Sequence, residues 1–165
     1  MEFRRELTED ELDNLADVTI DKIHNLIKYF NFGEVDIDEF EGDEGELILD
    51  LNGDNLNALI GKHGSTLQSF QEIVNILASR EIGYRYPVTL DVYGYKSRRK
   101  DKIEDIAYSM ANKAIQSGNS ISLKPMSAYE RRIIHIALKD EKTVETYSIG
   151  EGKNRHLVIK PIKLV

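Results

Sequence analysis

Residues 51–80 read LNGDNLNALIGKHGSTLQSFQEIVNILASR, with Gly61-Lys62-His63-Gly64 at their centre. Glycine permits backbone angles that other residues resist, so the tetrapeptide reads first as a break between two helices. Before it, Asp54 is placed to cap a short helix over residues 55–60. After it, Ser65 and Gln68 fit a capping box, and Leu67, Phe70, Val74 and Leu77 fall along one face of a second helix. That second helix starts beside the loop, so its unpaired amides and positive dipole end offer a place for an anion. Lys62 adds a full charge there, and His63 adds a hydrogen-bonding group.

The neighbouring segments give the break its context. Over residues 8–30, Leu12, Leu15, Val18, Ile23, Leu26, Ile27 and Phe30 recur at intervals that predict an amphipathic helix, with Gly33 as its stop. EVDIDEF and ELILDL alternate apolar and polar residues around EGDEG, which predicts a hairpin with one face on that helix. YPVTLDVYGY supplies a third strand through Val88, Leu90 and Val92. The order is helix, strand, strand, helix, helix, strand.

Beyond Tyr95 the composition changes. KSRRKDK opens a helix carrying Ile103, Ile106, Ala107, Met110, Ala111, Ala114 and Ile115, which Gly118 ends. SISL reads as a short strand, and Ser127 with Glu130 forms a capping box that opens the helix of YERRIIHIAL. TVETYSI and RHLVIKP, joined by GEGKN, close the chain as a hairpin. The expected division is residues 1–95, a basic helical linker over 96–118, and a small α/β module over 119–165 with a short sheet packed on helices. The fold class is α+β.

Charge divides in the same place. Residues 1–95 carry 7 Lys and Arg against 21 Asp and Glu, a net −14, whereas residues 96–165 carry 15 against 8, a net +7. The second half is therefore better suited to a polyanion, and the first must hold any anion locally against an unfavourable background. Composition closes other classes. With no cysteine there are no disulfides, thiol nucleophiles or cysteine-held metals. No apolar run approaches the roughly 18 residues that span a bilayer, and MEFRRELTEDELD lacks the basic start and apolar centre of a signal peptide, which points to the cytoplasm.

In the second half, Arg131-x-x-x-His135 puts two side chains on one helical face, one turn apart. Ala128, Arg132 and Lys139 are expected on that face, with Tyr129, Ile133, Ile136 and Ala137 on the opposite, core-facing stripe. Arg131 offers a planar fork for phosphate, and His135 can donate to a second oxygen or stack on a base. Arg155 and Lys153 extend the patch from the terminal hairpin.

LIGKHGSTLQSFQEIV within its helix and strand order resembles the K-homology (KH) domain in its type II arrangement, αββααβ. The resemblance implies that Gly61, Lys62, His63 and Gly64 contact the backbone of single-stranded RNA or DNA, in a groove for about four nucleotides. SLKPMSAYERRIIHIAL with VETYSIGEGKNRHLVIKP looks like the small domain named for an arginine and a histidine separated by three residues, which binds single-stranded nucleic acid. The matching residues include Pro125, Met126, Glu130, Arg131, Ser148, Gly150, Arg155 and Ile159-Lys160-Pro161. The two together resemble the Jag family, the SpoIIIJ-associated proteins of bacteria. That resemblance implies a cytoplasmic RNA-binding regulator tied to cell elongation and envelope synthesis, often working beside a short single-KH partner. A homodimer is the other expected assembly, and no cofactor and no membrane insertion are expected. Many members carry a further domain ahead of the KH module. The expected phosphate contacts are Lys62, Lys96, Arg98, Arg99, Lys100, Arg131, Arg132, Lys153 and Arg155, with His63 and His135 beside them.

Rival readings are weaker. The histidines are dispersed without metal-ligand spacing. DIDEFEGDEGE places Phe40 and Glu41 where a calcium loop needs an oxygen ligand and a glycine. GKHGST lacks the spacing of a phosphate-binding P-loop, since His63 follows Lys62. A nuclease using His135 would show metal-dependent RNA cleavage. The stronger alternative is a protein-interaction adaptor whose acidic first half docks a basic protein or dimerises, with the loop kept as scaffold.

Overall fold

A computed structural model describes residues 6–42 and 45–162. Its element order is α1 (Glu9–Ile27), β1 (Val35–Glu41), β2 (Leu47–Gly53), α2 (Asn57–Ile60), α3 (Ser65–Ile82), β3 (Val88–Val92), α4 (Tyr95–Ser117), β4 (Ile121–Ser122), α5 (Ala128–Ala137), β5 (Val144–Ile149) and β6 (His156–Pro161). The chain divides into two compact units, Met1–Lys96 and Ser97–Val165. The fold is α+β, as the patterning predicts.

In the first unit Thr8 and Glu11 form a reciprocal capping box that starts α1, and the apolar spacing of that helix buries Leu15, Ala16, Ile23 and Ile27. β1 and β2 pair antiparallel, from Val35 opposite Gly53 to Glu41 opposite Leu47. The middle of the EGDEG turn expected between them, residues 43–44, lies outside the described residues. β3 pairs with β2 in parallel, so α2 and α3 form the crossover between them and the sheet order is β1-β2-β3. The period-2 pattern sends Leu47, Leu49, Leu51, Val88, Leu90 and Val92 into the core against α1 and against Leu67, Phe70 and Val74 of α3. Burial of this one sheet face pins the register, because a slip by one residue would turn every leucine outward.

Two caps differ from expectation. The short helix begins at Asn57 with Leu56 at its N-cap and no side-chain hydrogen bond, so Asp54 does not cap it. Asn55 takes a positive φ of 63° and turns the chain before the helix begins. Ser65 is the first residue of α3, not its cap; Gly64, left-handed at φ 79°, takes that position and no side chain caps the helix. The Ser65–Gln68 box therefore does not form.

In the second unit β4, β6 and β5 make an antiparallel sheet in that order. Its inner face, with Val144, Leu157 and Ile159, packs with Ile133 and Ile134 of α5 and with Leu138, which caps the end of that helix. Ile103, Ala107, Ala111 and Ala114 of α4 belong to this same core. The helix expected as a linker over 96–118 is therefore a structural wall of the second unit, and its small alanines allow close packing. Ser127 and Glu130 do form the capping box that opens α5.

Candidate nucleic-acid interface

The first site is the loop between α2 and α3. Gly61 has φ 69° and ψ −168°, His63 φ 55° and ψ 31°, and Gly64 φ 79° and ψ 9°. Three positive φ values in four residues fold the chain back sharply, and two of them fall on glycine, which has no β-carbon to resist. Space reinforces the choice. A β-carbon on Gly61 would run into the Thr66 hydroxyl, and one on Gly64 would lie 2.9 Å from Cε1 of the Tyr95 ring. The loop thus holds Lys62 and His63 outward, both exposed, at the N-terminus of an 18-residue helix that no side chain caps. Backbone amides, dipole and ammonium converge there on one chemistry, the holding of an anion.

Lys96, expected as a cation for phosphate, is occupied otherwise. It is half-buried, its Nζ donates to Gln71 Oε1 at 2.7 Å, and its own N–H donates to the Asp91 carboxylate at 3.1 Å. Burial pushes its ammonium below the ordinary value, against the pull of Asp91. Gln71 Oε1 also accepts the N–H of Leu90 at 2.9 Å. Lys96 is thereby part of the packing between α3 and β3.

The second site lies where α5 crosses β5. Arg131 Nη1 donates to Ser148 Oγ at 3.2 Å, and His135 Nδ1 lies 2.7 Å from Thr146 Oγ1. Thr146 and Ser148 are two residues apart on one strand, so both hydroxyls face the helix, matching the one-turn spacing of Arg131 and His135. Arg131 is half-buried and its Nε is enclosed without a hydrogen-bond partner. Burial, and then the Arg131 charge, lower the pKa of His135. The pair is a braced, partly dehydrated cationic edge beside a neutral imidazole.

Other expectations for α5 shift. Its buried stripe is Glu130, Ile133, Ile134 and Leu138, whereas Tyr129 and Ile136 are 64% and 61% exposed. Arg132 is exposed. Lys153, in the turn Gly152–Asn154, and Arg155, just before β6, are exposed at the tip of the terminal hairpin. Arg98 and Lys100 are exposed near the start of α4, with Lys100 Nζ 4.0 Å from Glu104. Arg99 turns inward and pairs with the buried carboxylate of Glu130, so its guanidinium serves the core. Only the burial of Glu130, which the sequence pattern did not single out, reveals this role.

Comparison with known proteins matches residues 19–90 to the KH domain of KhpA/KhpB and residues 101–161 to the domain named for its Arg-x-x-x-His motif. The chain belongs to the KhpB family. A relative from Clostridium symbiosum, RNA-binding protein KhpB, is 38% identical over 148 residues, which cover 89% of this chain and 66% of the relative. The protein of the same name from Bacillus subtilis is 37% identical over 111 residues, covering 66% of this chain and 53% of the relative. A third, from Lactiplantibacillus plantarum, is 32% identical over 123 residues, covering 73% of this chain and 38% of the relative. The chain thus spans between about half and two thirds of the length of the first two KhpB relatives. Loop 61–64 falls inside the KH match, and Arg131, Arg132, His135, Lys153 and Arg155 inside the second match, which begins within α4. Arg98, Arg99 and Lys100 fall between the two. No described helix is long and apolar enough to cross a membrane.

Proposed function

We propose that this chain binds single-stranded RNA at two sites, the 61–64 loop of its KH unit and the Arg131–His135 edge of its second unit. The observation that carries the reading is the loop itself. Its positive φ angles and crowded glycines present Lys62 and His63 at a helix start that no side chain caps, an arrangement that suits a phosphate backbone. The names of the relatives, RNA-binding protein KhpB, support RNA as the ligand. Lys62, Arg98, Lys100, Arg131, Arg132, Lys153 and Arg155 contribute phosphate contacts with little sequence information, and sequence preference arises in the KH groove. Linking two modest contacts raises the effective concentration at the second once the first is made. The role is that of a cytoplasmic regulator of cell elongation or envelope synthesis, without catalysis. Filter binding of matched single-stranded RNA, duplex RNA and single-stranded DNA tests the ligand. Single-stranded RNA should bind most tightly, and equal retention of the duplex would refute the assignment.

A protein partner, either a short single-KH chain or a second copy, is supported by Ile73 and Ile76 of α3. Both are 50% exposed and lie three residues apart, on neighbouring positions of the helix surface. Light scattering of wild type and Ile73→Glu/Ile76→Glu, alone and mixed with a single-KH protein, tests it. A monomer in every sample would remove this reading and leave RNA binding untouched.

A further inference from the structure

We propose that the outer face of the β4-β6-β5 sheet is a base-stacking platform, a third contact for single-stranded RNA on the side of the sheet away from α5. The inference rests on the RNA-binding reading and adds residues to it. The register defines the surface. Ile149 lies opposite His156, Tyr147 opposite Val158, and Glu145 opposite Lys160, with Ser122 of β4 on the other flank of Val158. These are the residues whose alternates, Thr146, Ser148, Leu157 and Ile159, face inward. Val158 is buried yet takes no part in the inner core.

An antiparallel sheet with one solvent face ordinarily alternates polar outward. Here two adjacent rows carry Tyr147 and Ile149, 41% and 43% exposed, in addition to His156. Charge selects the occupant. The exposed acid of the third row, Glu145, is neutralised by Lys160 at 2.6 Å, and that ammonium also lies within electrostatic reach of Tyr147. Lys153 and Arg155 are exposed at the hairpin tip, next to the Ile149–His156 row. His156 Nδ1 is fixed 2.9 Å from the carbonyl oxygen of Asn154, which orients its ring. Aromatic and apolar side chains between cations suit unstacked bases on a phosphate strand, because every base offers a face for stacking.

The chain contains no tryptophan, so Tyr147→Trp introduces a single fluorescent reporter at the platform. The probes are 12-residue oligouridylate and oligoadenylate, with the duplex of the two as control, and Tyr108→Trp on α4, 46% exposed and outside the proposed contacts, reports from elsewhere in the unit. The expected result is quenching of the Tyr147→Trp emission by the single strands and not by the duplex, with little change for Tyr108→Trp. Tyr147→Ser should weaken single-strand binding about tenfold and Tyr147→Phe should retain it, both with wild-type circular dichroism. If wild type binds the oligonucleotides while Tyr147→Trp is unquenched and Tyr147→Ser binds normally, the platform is wrong and the two-site reading survives. If Tyr147→Ser alters oligomeric state and leaves affinity unchanged, the face belongs to a protein contact and the platform is again wrong. If wild type binds no oligonucleotide, both readings fall.

Discussion

Arg99 and Glu130 form an ion pair within the second unit: Nε donates to Glu130 Oε1 at 3.0 Å and Nη2 to the same oxygen at 2.5 Å, while Glu130 is only 4% exposed. The other carboxylate oxygen accepts the N–H of Ser127 at 3.0 Å, so a single glutamate joins α4 to the start of α5. Removing the guanidinium leaves a buried carboxylate without its cation. Arg99→Ala should therefore destabilise the second unit by about 3 kcal/mol in urea denaturation. Lys100→Ala, at an exposed neighbour, should stay within about 0.5 kcal/mol of wild type and lower the salt slope of RNA binding by about 1. An Arg99→Ala protein of wild-type stability with weakened binding would restore Arg99 as a phosphate ligand.

Gly64 and Gly118 separate backbone strain from crowding. Both hold positive φ, 79° and 67°, but a β-carbon at Gly64 meets Tyr95 whereas one at Gly118 meets nothing within 4 Å. Each change to alanine should cost about 1 to 2 kcal/mol for the left-handed backbone. Gly64→Ala should cost more, because the Tyr95 ring must move, and should weaken RNA binding. Gly118→Ala should leave binding unchanged when measured on folded protein.

Asp50 on β2 lies directly opposite Asp38 on β1 and Asp91 on β3, a row of three carboxylates across the sheet. Burial raises the pKa of Asp50 above 3.8, and the charges of Asp91 and Asp38 add to the rise. A carboxyl group raised in the fold opposes folding once ionised, since the unfolded chain ionises more readily. Asp50→Asn should therefore raise the melting temperature at pH 7. The gain should fade as pH falls through the raised pKa towards 3.8. Thermal melts of the two proteins between about pH 7 and pH 3.5 measure it.

For His135 the sign is the reverse. Its pKa lies below 6.5 in the fold, so the unfolded chain takes up a proton first as pH falls. The stability tied to its neutral form is complete above pH 6.5 and is lost as pH drops through the interval down to the lowered value. His135→Gln should flatten stability against pH in that interval, read from urea midpoints between about pH 7.5 and pH 5. A phosphate at the ring opposes the lowering, so RNA affinity of wild type should rise from about pH 7.5 to pH 6 more steeply than that of His135→Gln.

Much of this was legible in the sequence because a single period governs each element. Leu47, Leu49 and Leu51 can be buried together only on a strand, and Leu67, Phe70 and Val74 only on a helix, so element order and class followed directly. Caps and faces were less legible. Ser65 and Gln68 have the residues of a capping box, but the left-handed angles at His63 and Gly64 deliver the chain to α3 from a direction that makes Ser65 its first residue. On α5 the stripe of greatest hydrophobicity included Tyr129 and Ile136; the buried stripe runs through Glu130, because Arg99 compensates its charge, and so leaves those two outside. Lys96 and Arg99 share the run KSRRK with the exposed Arg98 and Lys100, and only the fold shows that Lys96 reaches Gln71 and Arg99 the buried Glu130.

The most direct test of the two-site account is equilibrium binding of single-stranded RNA across a salt series. Wild type is compared with Lys62→Asp/His63→Asp and with Arg131→Ala/His135→Ala, with folding of each checked by circular dichroism. Lys62 and His63 are exposed, so the first pair should keep its stability and lose affinity with a shallower salt slope. The second pair should lose affinity independently, and all four changes together should weaken binding more than either pair. Wild-type affinity and slope in the Lys62→Asp/His63→Asp protein would contradict the account and make the 61–64 loop a scaffold turn.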